Sequence, residues 1–130
     1  MDVRQICTLL AADGIEVAPS EVRIEARDDR WAAWLSGGRL AWFPMNASGS
    51  HRIETERRVL QVLASRCSFP APRVLHVTKE GWEVRSLVPG VCEPWKLYQR
   101  LQGDRVPARK IGRSLGVILA EQHSRIWQQA

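Results

Sequence analysis

Cysteine is scarce in this chain, and the three residues present do not form a pattern. Cys7, Cys67 and Cys92 stand at scattered positions, which suits neither an even-numbered disulfide framework nor a close-spaced metal site. A reduced, cytoplasmic setting is the expectation. Long apolar runs are missing as well. Nothing approaches the roughly 18–20 residues that cross a bilayer, and the opening MDVRQICTLL reads as no secretory signal. No membrane partner is expected. The three histidines, His51, His76 and His123, lie far apart, without a carboxylate or cysteine at ligand spacing. The chain also lacks G-x-x-x-x-G-K-S/T and C-x-x-C. Gly37-Gly38 precedes a strand pattern rather than a helix start, so it reads as a turn and not as a phosphate cradle.

Lysine is scarce too, and the 19 basic residues are mostly arginine. Against 14 acids they give a net charge of +5 and an isoelectric point near 9.7. Arg4, Arg23, Arg52, Arg73, Arg100 and Arg113 are dispersed among acids, and the densest group, Arg105 to Arg113, is interrupted by apolar residues. A solvated basic surface is favoured over a nucleic-acid patch, because no binding motif accompanies the charge.

What is present is an ordinary globular composition. In 130 residues, 45% are hydrophobic and 25% charged, enough to build one core. Val3, Ile6, Cys7 and Leu10 follow helical spacing, with Asp2 and Gln5 placed as a capping box and Gly14 as terminator. From Glu21 the period becomes two. Val22, Ile24 and Ala26 alternate with charge, Trp31 to Leu35 follows, and Ser36-Gly37-Gly38 turns the chain into Arg39 to Phe43. Asn46 to Gly49 reads as a polar loop, and Ser50 to Ser65 as a helix. Pro70 and Pro72 stiffen a connector. Two more strands, Arg73 to Thr78 and Trp82 to Leu87, flank a turn at Lys79-Glu80-Gly81. Pro94 opens a helix ended by Gly103, and Pro107 opens the last one. The predicted fold class is α+β, an antiparallel five-stranded sheet with a packed helix, then two helices. Of the six tryptophans, Trp31, Trp34 and Trp42 fall on neighbouring strands and are expected to pack in the core or on the sheet surface.

Three segments carry more than a fold class. They are Glu56-Arg57-Arg58-Val59-Leu60-Gln61-Val62-Leu63, Pro70-Ala71-Pro72-Arg73-Val74-Leu75-His76, and Gly81-Trp82-Glu83-Val84-Arg85-Ser86-Leu87-Val88-Pro89-Gly90. In this order and spacing they resemble the N-terminal lobe of the aminoglycoside phosphotransferase and choline kinase-like family. Leu119-Ala120-Glu121-Gln122-His123-Ser124 resembles the first large helix of that family's C-terminal lobe. The resemblance implies a kinase-like lobe over residues 1–88 and the start of a second lobe over 89–130, with ATP as cofactor. It implies that backbone groups of Ser86, Leu87 and Val88 meet adenine, and that Glu56 is the helix carboxylate paired with a cation on the third strand.

The chain departs from the family where the chemistry lies. Trp42 stands where the phosphate-holding cation belongs, Arg39 comes three residues early, and Arg85 is a charge where relatives carry an apolar residue. The His-Gly-Asp loop and the later magnesium-binding Asp are not among these residues, so no catalytic or metal residue is assigned. The resemblance therefore implies a truncated or split small-molecule kinase lobe, inactive in phosphoryl transfer by itself. ATP is expected to bind more weakly than about 1 mM or not at all, with Mg2+ only if a second lobe is supplied. The alternative is a non-catalytic interaction or dimerisation module derived from that lobe. In either case the helices over 94–127, with Trp95, Leu97, Leu101, Ile111, Leu115, Ile118 and Trp127, are expected to meet a second copy or a separate C-terminal lobe. The small-molecule substrate is not assignable from these residues.

Overall fold

A computed structural model describes residues 1–90 and 92–126; Trp127 lies outside the described residues. The chain divides into two units. The first takes Met1–Gln61 and Pro70–Val88, the second Val62–Phe69 and the chain from Pro89 on.

In the first unit, helix α1 (Val3–Ala12) leads into strands β1 (Arg23–Arg27), β2 (Arg30–Leu35) and β3 (Arg39–Pro44). Helix α2 (Ala47–Arg66) follows, then β4 (Val74–Val77) and β5 (Glu83–Ser86). The five strands form one antiparallel sheet in the order β1-β2-β3-β5-β4. The chain crosses from β3 to β4 through α2, and β5 returns between them.

Both ends of α1 are chemically specified. Asp2 accepts from the Gln5 amide at 2.9 Å, and the Gln5 side chain accepts from the Asp2 amide at 2.8 Å, so two orphan donors are satisfied. At the other end Gly14 takes φ +79°. The Gly14 amide donates to the Ala11 carbonyl and the Ile15 amide to that of Leu10, the double closure for which glycine is preferred.

Register sorts the sheet into two faces. Ala33, Leu35, Ala41, Phe43, Trp82 and Val84 join Ile6 and Leu10 of α1 in one buried apolar cluster. Phe43 and Trp82 stack there with ring centroids 5.3 Å apart. The paired residues Arg30↔Pro44, Ala32↔Trp42, Leu40↔Arg85 and Trp42↔Glu83 define the opposite face, against which α2 lies. Charged Arg23, Glu25 and Arg27 line β1, and β4 has a register break between Val74 and His76. Both devices discourage pairing at a sheet edge.

Two sequence expectations are corrected. Asn46 to Gly49 is not a loop: α2 begins at Ala47. Asn46 is its cap, with Oδ1 accepting from the Gly49 amide at 3.0 Å. The Gly and Ser content that suggested a loop serves a close approach instead. A Cβ on Gly49 would sit 2.2 Å from the Asp29 carbonyl oxygen.

In the second unit, α3 (Pro94–Gly103) and α4 (Arg105–Ile126) follow one another. Here too the boundary moves, since α4 starts before Pro107. Asp104 accepts from the Val106 amide at 3.0 Å, and proline is tolerated in the first turn, where amides have no helical partner. The Ser68 amide and hydroxyl both donate to the Glu121 carboxylate, at 2.5 and 2.8 Å. Those bonds, the backbone one first, hold Glu121 below its ordinary value. Among the described residues no helix is long and apolar enough to cross a membrane.

Candidate functional site

The α2 face of the sheet holds a chain of ion pairs. Ile53, Glu56, Arg57 and Leu60 follow helical spacing on one side of α2, and Glu83 and Arg85, two apart on β5, share a sheet face. Glu56 receives Arg30 through two bonds, of 2.7 and 2.9 Å, and Arg85 at 2.9 Å. Arg85 also reaches Glu83 and the Ile53 carbonyl, the latter at 3.2 Å. Glu83, with 0% exposure, takes a further bond of 3.1 Å from Arg57. Three guanidinium groups and two carboxylates thus join β2, α2 and β5. Burial alone would push the Glu56 carboxyl up, but the bonds and charges of Arg30 and Arg85 outweigh it and hold Glu56 below its ordinary value.

Trp42 stands beside this chain. The Arg30 guanidinium lies over its ring, 3.8 Å from the centroid, a cation–π contact that fixes both groups. Trp42 also lines a pocket of about 350 Å³ left by α2 and the end of β5. Its walls include Leu40, Trp42, Val59, Leu60 and Leu87, and are almost wholly apolar. Glu56, Arg85 and Ser86 contribute to its lining.

The sequence-derived candidates fall into this picture unequally. Glu56, Ser86 and Leu87 come together around the pocket; Val88 is not part of its lining. The backbone at this corner is already engaged. The Ser86 amide donates to the Arg73 carbonyl at 2.8 Å, and the Leu87 amide to that of Gly38 at 2.7 Å. Arg39 does not reach Glu56: strand alternation puts it on the other face, and its Nε donates to the Ser36 carbonyl at 2.9 Å. The cations that pair with Glu56 are Arg30 and Arg85; Arg85 stands out in the sequence as a misplaced charge, but nothing there pairs either arginine with Glu56. What signal there was lay in β5, where Glu83 and Arg85, two apart, project from one face of the strand and are both buried.

Away from the pocket, the β1–β2 turn bears on the start of α2. The Met45 amide donates to the Asp29 carbonyl at 2.9 Å, and the Ser48 hydroxyl to Asp29 Oδ2 at 2.8 Å. The Ser48 bond, aided by Arg52 and Arg30, keeps the Asp29 carboxyl below its ordinary value. Among the described residues no three His, Cys, Asp or Glu side chains gather as metal ligands. Neither a scan of protein-family models nor a search of curated proteins finds a match to this chain.

Proposed function

We propose that the first unit is a small lobe of the aminoglycoside phosphotransferase and choline kinase-like type, in which the grip on nucleotide phosphates is not assembled. Five antiparallel strands with one helix between the third and fourth support the lobe reading. The observation that carries its functional half is the pairing of Glu56 with Arg30 and Arg85. The helix carboxylate is saturated from β2 and β5, and β3 offers Trp42 in place of a cation. Phosphoryl transfer depends on positioned cations and metal around the phosphates, so these residues do not transfer phosphate by themselves.

Tryptophan fluorescence tests this directly, because Trp42 lines the pocket. ATP is expected to bind more weakly than about 1 mM, with or without Mg2+. Micromolar, magnesium-dependent quenching would refute the reading.

A second reading, self-association, is favoured by one observation in the second unit. Neither α3 nor α4 contains a buried residue, and Trp95, Val106, Leu115 and Leu119 are each more than half exposed. Large apolar surfaces of this kind mark interfaces, and a two-fold pairing lets one patch serve as both halves of the contact. Light scattering decides. A mass near twice 14.8 kDa, lost on Leu115→Asp with Ile118→Asp, supports a dimer; the monomer mass rejects it.

A further inference from the structure

We propose that α3 and α4 bind the surface of an anionic lipid bilayer, their exposed apolar side chains entering the headgroup layer and their cations meeting acidic headgroups. The inference rests on the second unit alone and goes beyond the lobe reading.

The charge of the chain is divided unequally. The first unit holds eleven Lys and Arg and eleven Asp and Glu, so it is neutral. The second holds eight against three and carries the whole net charge of +5. An asymmetry of this kind points to a polyanionic partner. The cations are also ordered. Lys96 and Arg100, four apart, share one side of α3, and Arg105, Arg109 and Arg113 run along α4 at the same spacing. All five are exposed. Among the described residues only Lys96 of these five has a carboxylate partner, Glu93 at 3.2 Å.

Charge alone does not choose the polyanion; the apolar side chains beside it do. The rest of α3 presents Trp95, Leu97 and Tyr98, all exposed, with the two rings 5.4 Å apart. On α4, exposed Leu115 and Leu119 border the arginine row, and exposed Val106 and Val117 lie among the cations. Trp and Tyr rings favour the boundary between water and hydrocarbon, where neighbouring Lys and Arg can reach out to headgroups. A nucleic acid would take the cations and stack on the two rings, but it would leave the leucines and valines in water. A second copy would cover those side chains while bringing two units of like charge together. An anionic bilayer answers charge and apolar surface at once. The lack of a spanning helix among the described residues concerns crossing a bilayer, not lying in its surface.

The test is co-sedimentation of the intact chain with vesicles of phosphatidylcholine, alone or with about 30% phosphatidylserine. The anionic vesicles are expected to bind at least about tenfold more tightly, since each Lys or Arg near such a surface is worth roughly fivefold in affinity. Added salt should weaken that binding. Arg105→Gln, Arg109→Gln and Arg113→Gln together should weaken it by about a hundredfold. Leu115→Ser with Leu119→Ser should weaken it by about tenfold. Arg4→Gln with Lys79→Gln, at exposed positions of the neutral unit, should change it by less than about threefold. Equal binding to both vesicle types, binding to neither, or a triple variant that binds as the parent does would overturn the proposal. So would tighter binding to polyuridine RNA than to anionic vesicles at the same salt. A dimer in light scattering that leaves the vesicles unbound would overturn it too, and decide for self-association. None of these outcomes bears on ATP, so the lobe reading stands or falls separately.

Discussion

The two faces of the sheet hold their helices by opposite means. On one face, α1 is seated through Ile6 and Leu10 on Phe43, Trp82, Val84 and small alanines, and the cluster is apolar. On the other, Ile53 of α2 is buried, but the contacts around it are guanidinium to carboxylate: Arg30, Arg85 and Arg57 with Glu56 and Glu83. Apolar contact is non-directional and gains free energy with area. An ion-pair chain gains little net stability, because desolvation offsets attraction, but it tolerates few alternative arrangements. The difference teaches that α1 is held by burial, while α2 has its position specified by charge geometry.

The largest effects should come from the apolar face. Phe43→Ala removes a fully buried ring that stacks on Trp82 and should cost about 3–5 kcal/mol in urea unfolding. A loss below about 1 kcal/mol would mean that this cluster is not the main source of stability.

Glu83→Leu approaches that size by another route, since it leaves Arg85 and Arg57 short of a buried counter-charge; a loss of about 3 kcal/mol is expected. Adding Arg85→Met should restore much of it, as buried ion pairs often give way to apolar residues at little cost. Phe43→Ala has no such rescue. If the double variant is no better than Glu83→Leu alone, the contrast between the faces fails.

Gly49→Ala should cost about 1–3 kcal/mol, because the new methyl meets the Asp29 backbone and the neighbouring turn must shift. A neutral result in the same urea assay would show that α2 can slide on its charges.

The smallest effect is in acid. Glu56 is held below its ordinary value of 4.5, so its contribution is complete above that pH and is lost as pH falls through the lower, folded value. Glu56→Gln should flatten the acid limb of the stability curve below about pH 4.5 and leave the shape above it unchanged. An identical acid limb in variant and parent would mean Arg30 and Arg85 stabilise the neutral form equally well.

Much of this arrangement is legible in the sequence, and what is hidden has a common cause. Period-two runs gave the strands, and Asp2, Gln5 and Gly14 gave both ends of α1, because those signals are local. The start of α2 was hidden, since Asn46, Ser48 and Gly49 suit a loop and a cap equally well; only the approach to Asp29 distinguishes them. Glu56, Ser86 and Leu87 were found as neighbours of one pocket. Arg30 and Arg85 were missed as partners of Glu56 because they lie 26 and 29 residues away from it, and no one-dimensional spacing rule links β2, α2 and β5.

The closed ion-pair chain also constrains which sequences are reachable from this one by single steps. A lysine placed at position 42 would remove the ring beneath Arg30 and add a fourth cation to Arg30, Arg57 and Arg85, which are answered by Glu56 and Glu83. Like charges so placed repel by several kcal/mol at low effective dielectric. Such a lysine would be tolerated only after one of the arginines had gone. The order of substitution would then matter more than the substitutions themselves, since the loss of an arginine would have to precede Trp42→Lys.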